Sequence, residues 1–164
     1  NRDWTGCYAD DLGGGEMAVK ILIQMAGAFF AVYGFGLVLN VPKKFVPCAG
    51  AAGAVGWAVY LAVDQAGGSF LVSNFFSAFV ISLISHILAR IFKAPVTLFI
   101  IAALMTLVPG AGMYRIAYSA LQGDTSMTLF YVIQTLEIAG VIAVAVFLTD
   151  TIFRLRLLIK KGKS

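Results

Sequence analysis

Five apolar stretches, each about as long as a bilayer crossing, constrain this chain more than any other feature. They run over residues 17–39, 46–63, 70–92, 96–120 and 127–149, and a hydrocarbon core takes about 20 helical residues to cross. The second is the shortest and is closed in by Pro47 and Asp64. None alternates with the period of two that a membrane β-strand requires, so a helix bundle is the remaining way to satisfy backbone groups in lipid. Hydrophobic residues make up 60% of the chain, charged residues only 12%, and the mean hydropathy is +0.92, a balance that excludes a soluble domain. The expected fold is an all-α integral membrane protein, a five-helix transmembrane bundle over 17–150. A polar extracytoplasmic segment, 1–16, precedes it, and a basic cytoplasmic tail, 151–164, follows. The polar opening has no cleavable signal pattern, and a first residue other than Met points to a trimmed or processed start.

Charge gives the orientation. Lys43 and Lys44 lie between the first two stretches, Arg90 and Lys93 between the third and fourth, and Arg154, Arg156, Lys160, Lys161 and Lys163 after the fifth. Those positions belong on the cytoplasmic side by the positive-inside rule, which puts the N-terminus outside and the C-terminus inside. Asp64, Asp124 and the acidic residues of the first segment fall on the opposite side. The net charge of +4 is thereby accounted for by topology and lipid headgroups, and no nucleic-acid partner is expected. Cys7 and Cys48 belong on opposite sides and should not pair. Neither has metal-ligand spacing to the single histidine, and no phosphate loop, zinc signature or nucleophile elbow occurs, so no metal, no cofactor and no enzyme activity are expected.

Polar residues inside the apolar stretches are costly in lipid and are therefore the functional candidates. In the fourth stretch Pro109 cannot donate to the carbonyl of Met105, and Gly110 and Gly112 follow it, so the helix should break at Pro109–Gly110. At about 1.5 Å per residue the break falls about 20 Å from the inner face, a little beyond the midplane. A half-helix starting there presents free N–H groups, with Arg115 about a turn further on, which suits a carboxylate. Against this stands a packing kink with Arg115 snorkelling to the outer headgroups. Glu137, near the middle of the fifth stretch with Gln134 on the same face, reads either as a proton carrier and partner for Arg115 or as a structural carboxyl bonded to a neighbouring helix. Asn74, Ala78, Ser82, Ser85 and Ala89 form a small and polar stripe on the third helix, read as a contact face, with His86 beside it as a second proton-relay candidate. Gly50, Gly53 and Gly56 recur every three residues in the second helix, as close packing would require. Asn40 before Val41 and Pro42 reads as a helix terminator, and a binding role needs more support than that spacing gives.

The blocks GFGLVLNVPKK (34–44), FSAFVISLISHILARIFKAPVTLFI (76–100) and LVPGAGMYRIAYSAL (107–121) resemble a YjjB-like membrane subunit, similar to the C-terminal half of the threonine/serine exporter (ThrE) family. The resemblance runs from about residue 17 to 150. It implies a secondary exporter in a bacterial cytoplasmic (inner) membrane, carrying threonine and serine in the fused form and succinate in a two-subunit form. It also implies a partner, a YjjP-like membrane subunit, or copies of the same chain. A five-helix unit with its N-terminus outside is what the second half of an inverted repeat needs. Tyr114 is followed by Arg115, as in the fused threonine/serine type, although an arginine suits any carboxylate. The function expected is a subunit exporting threonine/serine-like amino acids, with proton coupling. Gly110, Gly112, Tyr114, Arg115 and Asn40 are the candidate substrate residues, and Glu137 and then His86 the candidates for the proton. A dicarboxylate exporter subunit, a channel-like pore and a structural assembly subunit are the alternatives.

Overall fold

A computed structural model describes residues 14–107 and 110–161. Six helices and no strands occur among them: α1 Gly14–Val38, α2 Val46–Gln65, α3 Phe70–Phe92, α4 Val96–Leu104, α5 Gly110–Leu121 and α6 Thr125–Lys161. Four carry stretches long and apolar enough to cross a membrane, Val19–Val38, Val46–Gln65, Phe70–Phe92 and Thr125–Leu155. The fourth apolar stretch of the sequence is two short helices, neither long enough to cross alone. Pro109, the residue expected to break it, lies outside the described residues. The fifth helix does not stop at 149 but runs through the basic tail to Lys161 as one element of 37 residues, about 55 Å at 1.5 Å per residue and so longer than any hydrocarbon core. Nothing after 149 ends it: there is no Pro, and Gly first recurs at 162.

The loops are short because most helices end in the same compact way. Asn40, Gly67, Lys93 and Gly123 all have left-handed backbone. After each, an N–H reaches back to a carbonyl five residues earlier: Val41 to Gly36, Gly68 to Val63, Ala94 to Ala89 and Asp124 to Ser119, at 2.9–3.2 Å. This Schellman closure satisfies carbonyls that a helix end otherwise leaves without a partner. α6 begins on a side-chain cap, with the Met127 N–H donating to Asp124 Oδ1 at 3.1 Å.

α2 is the hub, packing on α1, α3 and α4, and its glycines permit the close approach. A methyl group at Gly53 would stand 2.6 Å from a Val32 methyl on α1, and one at Gly56 2.3 Å from Ile81 Cγ1 on α3. Between α2 and α3 the buried Ser77 hydroxyl donates to the Gly56 carbonyl at 2.6 Å. Two apolar clusters follow. One, at the end where α1 meets α2, joins Val41, Phe45 and Val46 to Ala89 of α3 and Phe99 of α4. The other, at mid-height, joins Ala52, Ala78, Ile81, Ala103, Leu107 and Ala145. Ile81 clusters with Ala145 and His86 meets Asp150, so α3 and α6 run in the same direction.

Among the described elements α5 packs on α6 alone. The surface left over is apolar, with Leu121 88%, Val38 79% and Phe30 71% exposed, as befits an exterior solvated by lipid rather than by water.

Candidate substrate site at the broken helix

The interruption between α4 and α5 sits in the packed middle of the bundle. Past Leu104 the chain turns, the Leu107 N–H bonding to the Leu104 carbonyl at 2.9 Å and the Thr106 hydroxyl to the Ala103 carbonyl at 2.9 Å. Leu107 is buried against Ile81 of α3 and Ala145 of α6. The Thr106 methyl is 3.5 Å from where a Cβ on Gly53 would stand, so a larger residue at Gly53 would press on the break as well as on Val32. Gly53 is near the middle of α2 and Ile81 near the middle of α3, which fixes the height of the interruption.

α5 resumes at Gly110, which is exposed with open space where a side chain would be. Gly112 and Arg115 are half-buried in the first and second turns of α5. The Arg115 guanidinium lies over the Tyr131 ring of α6, 5.8 Å from its centroid. No acidic residue pairs with it among the described residues. Its charge is thus steadied by an aromatic face and left open to an anion. Tyr114 is largely exposed and stacks on Tyr118 at 6.0 Å. The structure therefore gathers Gly110, Gly112, Tyr114 and Arg115 on the first turns of α5, where helical N–H groups have no intrahelical acceptor.

The other candidates lie elsewhere. Glu137 is exposed on α6 and makes no pair with Arg115. Asn40 is an exposed left-handed cap after α1, in the loop next to the first apolar cluster rather than at the break. His86 is buried between α3 and α6, 3.8 Å from Asp150 Oδ1. The stripe on α3 is inside the bundle: Asn74, Ala78, Ser82, Ser85 and Ala89 are all buried, and the Asn74 amide bonds back to the Phe70 carbonyl at 2.8 Å.

Two features escaped the sequence reading. Ser77, which ties α3 to α2, falls on the buried face between Asn74 and Ala78 and was readable from that spacing. Asp150 stands just past the fifth apolar stretch, at the last position of the expected bundle, and was given no role. The available signal was Arg154 four residues on, the helical spacing for an ion pair.

The family model described as Threonine/Serine exporter, ThrE, matches residues 24–152, well over half of the chain, and the match covers α2 to α5 whole with most of α1 and α6. The chain belongs to the threonine/serine exporter (ThrE) family. Neither curated proteins nor solved structures give a match. Membership in the ThrE family makes the chain a multi-pass membrane protein and a transporter component handling an amino-acid substrate in a lipid bilayer, not an enzyme.

Proposed function

We propose that this chain is a subunit of a proton-coupled secondary transporter that exports threonine/serine-like amino acids across a bacterial cytoplasmic membrane. In this reading it crosses the membrane five times, α4 and α5 being the two halves of the fourth crossing, with the N-terminus outside and the C-terminus inside. The parallel course of α3 and α6 supports this, because a chain running the same way twice must return in between, and α4 and α5 are the elements between them.

The observation that carries the reading is an interrupted helix seated in the packed core at mid-height, followed by a half-helix bearing an arginine with no acidic partner among the described residues. Broken helices at that height are where secondary transporters hold their substrates. The substrate carboxylate is held by the N–H groups from Gly110 to Gly112 and by Arg115, and Tyr114 orients the rest of the molecule. Asn40 acts as the cap of α1 and takes no part. The coupling proton needs a titratable group within the membrane, and Glu137 and His86 are the groups proposed for it. A second membrane subunit or further copies of the chain cover the apolar faces of α1 and α5, as one half of an inverted repeat requires.

Counterflow of labelled threonine in proteoliposomes tests the site. Arg115→Ala removes a charged hydrogen bond worth about 1.5–3 kcal/mol, so its half-saturating threonine concentration should rise about 10-fold or more. Arg115→Lys keeps the charge, loses the fork and should fall in between. Unchanged saturation in both variants would mean that Arg115 only snorkels.

A further inference from the structure

Near the C-terminal end of α3, where it packs on α6, a group of charges surrounds one buried imidazole. The His86 side chain is 8% exposed and that of Asp150 41%, with Nε2 of the one 3.8 Å from Oδ1 of the other. That separation is too long for a hydrogen bond, and His86 Nε2 has none with any other described group. The imidazole lies flat on the Phe153 ring, 4.5 Å between centroids and 5° between planes. The Arg90 guanidinium lies over the same phenylalanine ring at 4.9 Å. Asp150 Oδ2 accepts from Arg154 Nε at 2.7 Å, which holds the carboxylate in place.

We propose that His86 and Asp150 form a proton-binding pair that carries the coupling proton of the transport cycle. The proposal rests on the proton-coupled reading above and names the residues that would serve it. A proton taken up on the Nε2 lone pair gives an imidazolium, which closes on Asp150 Oδ1 and draws α6 onto α3. Its release to water returns the neutral ring and lets the two helices part. No bond between heavy atoms forms or breaks.

Burial disfavours the charged ring, and charges of both signs surround it. Asp150 favours it, while Arg90 on α3 and Arg154 on α6 oppose it. The other packed elements add little. α4 contains no titratable residue, and among those of α2 only Cys48 lies at this end, with Tyr60 and Asp64 towards the other.

The pair also has a route to the substrate site. The Ser82 and Ser85 hydroxyls are buried on the same face of α3, with no hydrogen-bond partner among the described residues. They lead from His86 towards Ile81, five residues or about 7.5 Å along the axis, and Ile81 packs on Leu107 at the break. Glu137, by contrast, is exposed on α6 with no second group beside it among the described residues.

The chain has a single histidine, so the full chain labelled with 13C,15N-histidine and placed in liposomes reports His86 alone by NMR. The pair predicts that the charged fraction of the imidazole, read near pH 6, falls several-fold in Asp150→Asn and recovers in Asp150→Glu. It also predicts that His86→Gln and Asp150→Asn lose gradient-driven threonine transport by about 10-fold or more while counterflow, which needs no net proton movement, stays within about twofold. The same histidine titration in wild type and Asp150→Asn would overturn the pair without a transport assay, which covers a variant that fails to assemble. Proton-driven transport in wild type that persists in His86→Gln and Asp150→Asn would overturn the pair and leave the transporter reading standing. Counterflow in wild type with no response to a proton gradient would overturn the coupled reading, and the pair's role with it.

Discussion

Replacing Gly56 by alanine puts one methyl group into the tightest contact of the bundle. The new Cβ would stand 2.3 Å from Ile81 Cγ1, 2.4 Å from Ile81 Cδ1 and 3.4 Å from Ser77 Oγ. Ile81 is fully buried, so its side chain cannot swing out of the bundle to make room. Restoring an ordinary carbon contact near 3.8 Å requires α2 and α3 to part locally by roughly 1.5 Å. That separation would stretch the bond from Ser77 to the Gly56 carbonyl, now 2.6 Å, beyond hydrogen-bond range. Overpacking costs about 1–3 kcal/mol and the lost bond about 0.5–1.5 kcal/mol, together about 1.5–4.5 kcal/mol. For a chain of this size each kcal/mol lowers Tm by roughly 2–4 °C, so a drop of about 3–18 °C is expected. Thermal unfolding of the purified chain in detergent, followed by tryptophan fluorescence, measures it. Gly140→Ala is the control, since a Cβ there meets nothing within 4 Å and Tm should hardly move. Ile81→Ala in the Gly56→Ala background should be less damaging than the two single changes added together, because it removes the atoms in conflict. Equal Tm for Gly56→Ala and wild type would refute the close approach of α2 and α3.

Other positions give smaller effects of defined sign. Lys93 ends α3 with a left-handed backbone, φ 51°, which costs a residue with a Cβ about 1–2 kcal/mol. Lys93→Gly should therefore raise Tm, and a fall would place the cost elsewhere. Asp124→Ala removes the cap on α6 and should cost about 0.5–2 kcal/mol. Hydrogen exchange should speed up over the first turn of α6, and unchanged protection at Met127 would argue against the cap.

Much of the bundle was legible because lipid imposes strong rules on sequence. The third apolar stretch, 70–92, coincides with α3, Phe70–Phe92, since Gly67 and Gly68 precede it and Lys93, Ala94 and Pro95 close it. The glycine repeat of α2 declared close packing, but periodicity did not say that Gly50 and Gly53 meet α1 while Gly56 meets α3. That division depends on crossing angles, which only the assembled bundle has. The reach of α6 was missed because hydropathy ends at Leu148 while helix propensity continues through Thr151 to Lys161. Asp150, Arg154 and Arg156 interrupt the extension, which leaves no apolar run to count. Arg115 and Glu137 were equally visible as charges within apolar stretches, yet one rests on Tyr131 and the other is exposed. Which charges meet across two helices is set by their relative rotation, and neither stretch encodes that alone. His86 and Asp150 are 64 positions apart and come together only because α3 and α6 run parallel.

Gradient-driven flux of labelled threonine and serine, with succinate as the competing carboxylate, tests the central claim most directly. The chain is reconstituted alone and with a candidate second membrane subunit, and an inward or outward proton gradient is imposed. The account predicts saturable amino-acid transport that reverses with the sign of the gradient and weakens in Arg115→Ala. Non-saturating flux indifferent to the gradient and to Arg115 would contradict it and make the chain a pore.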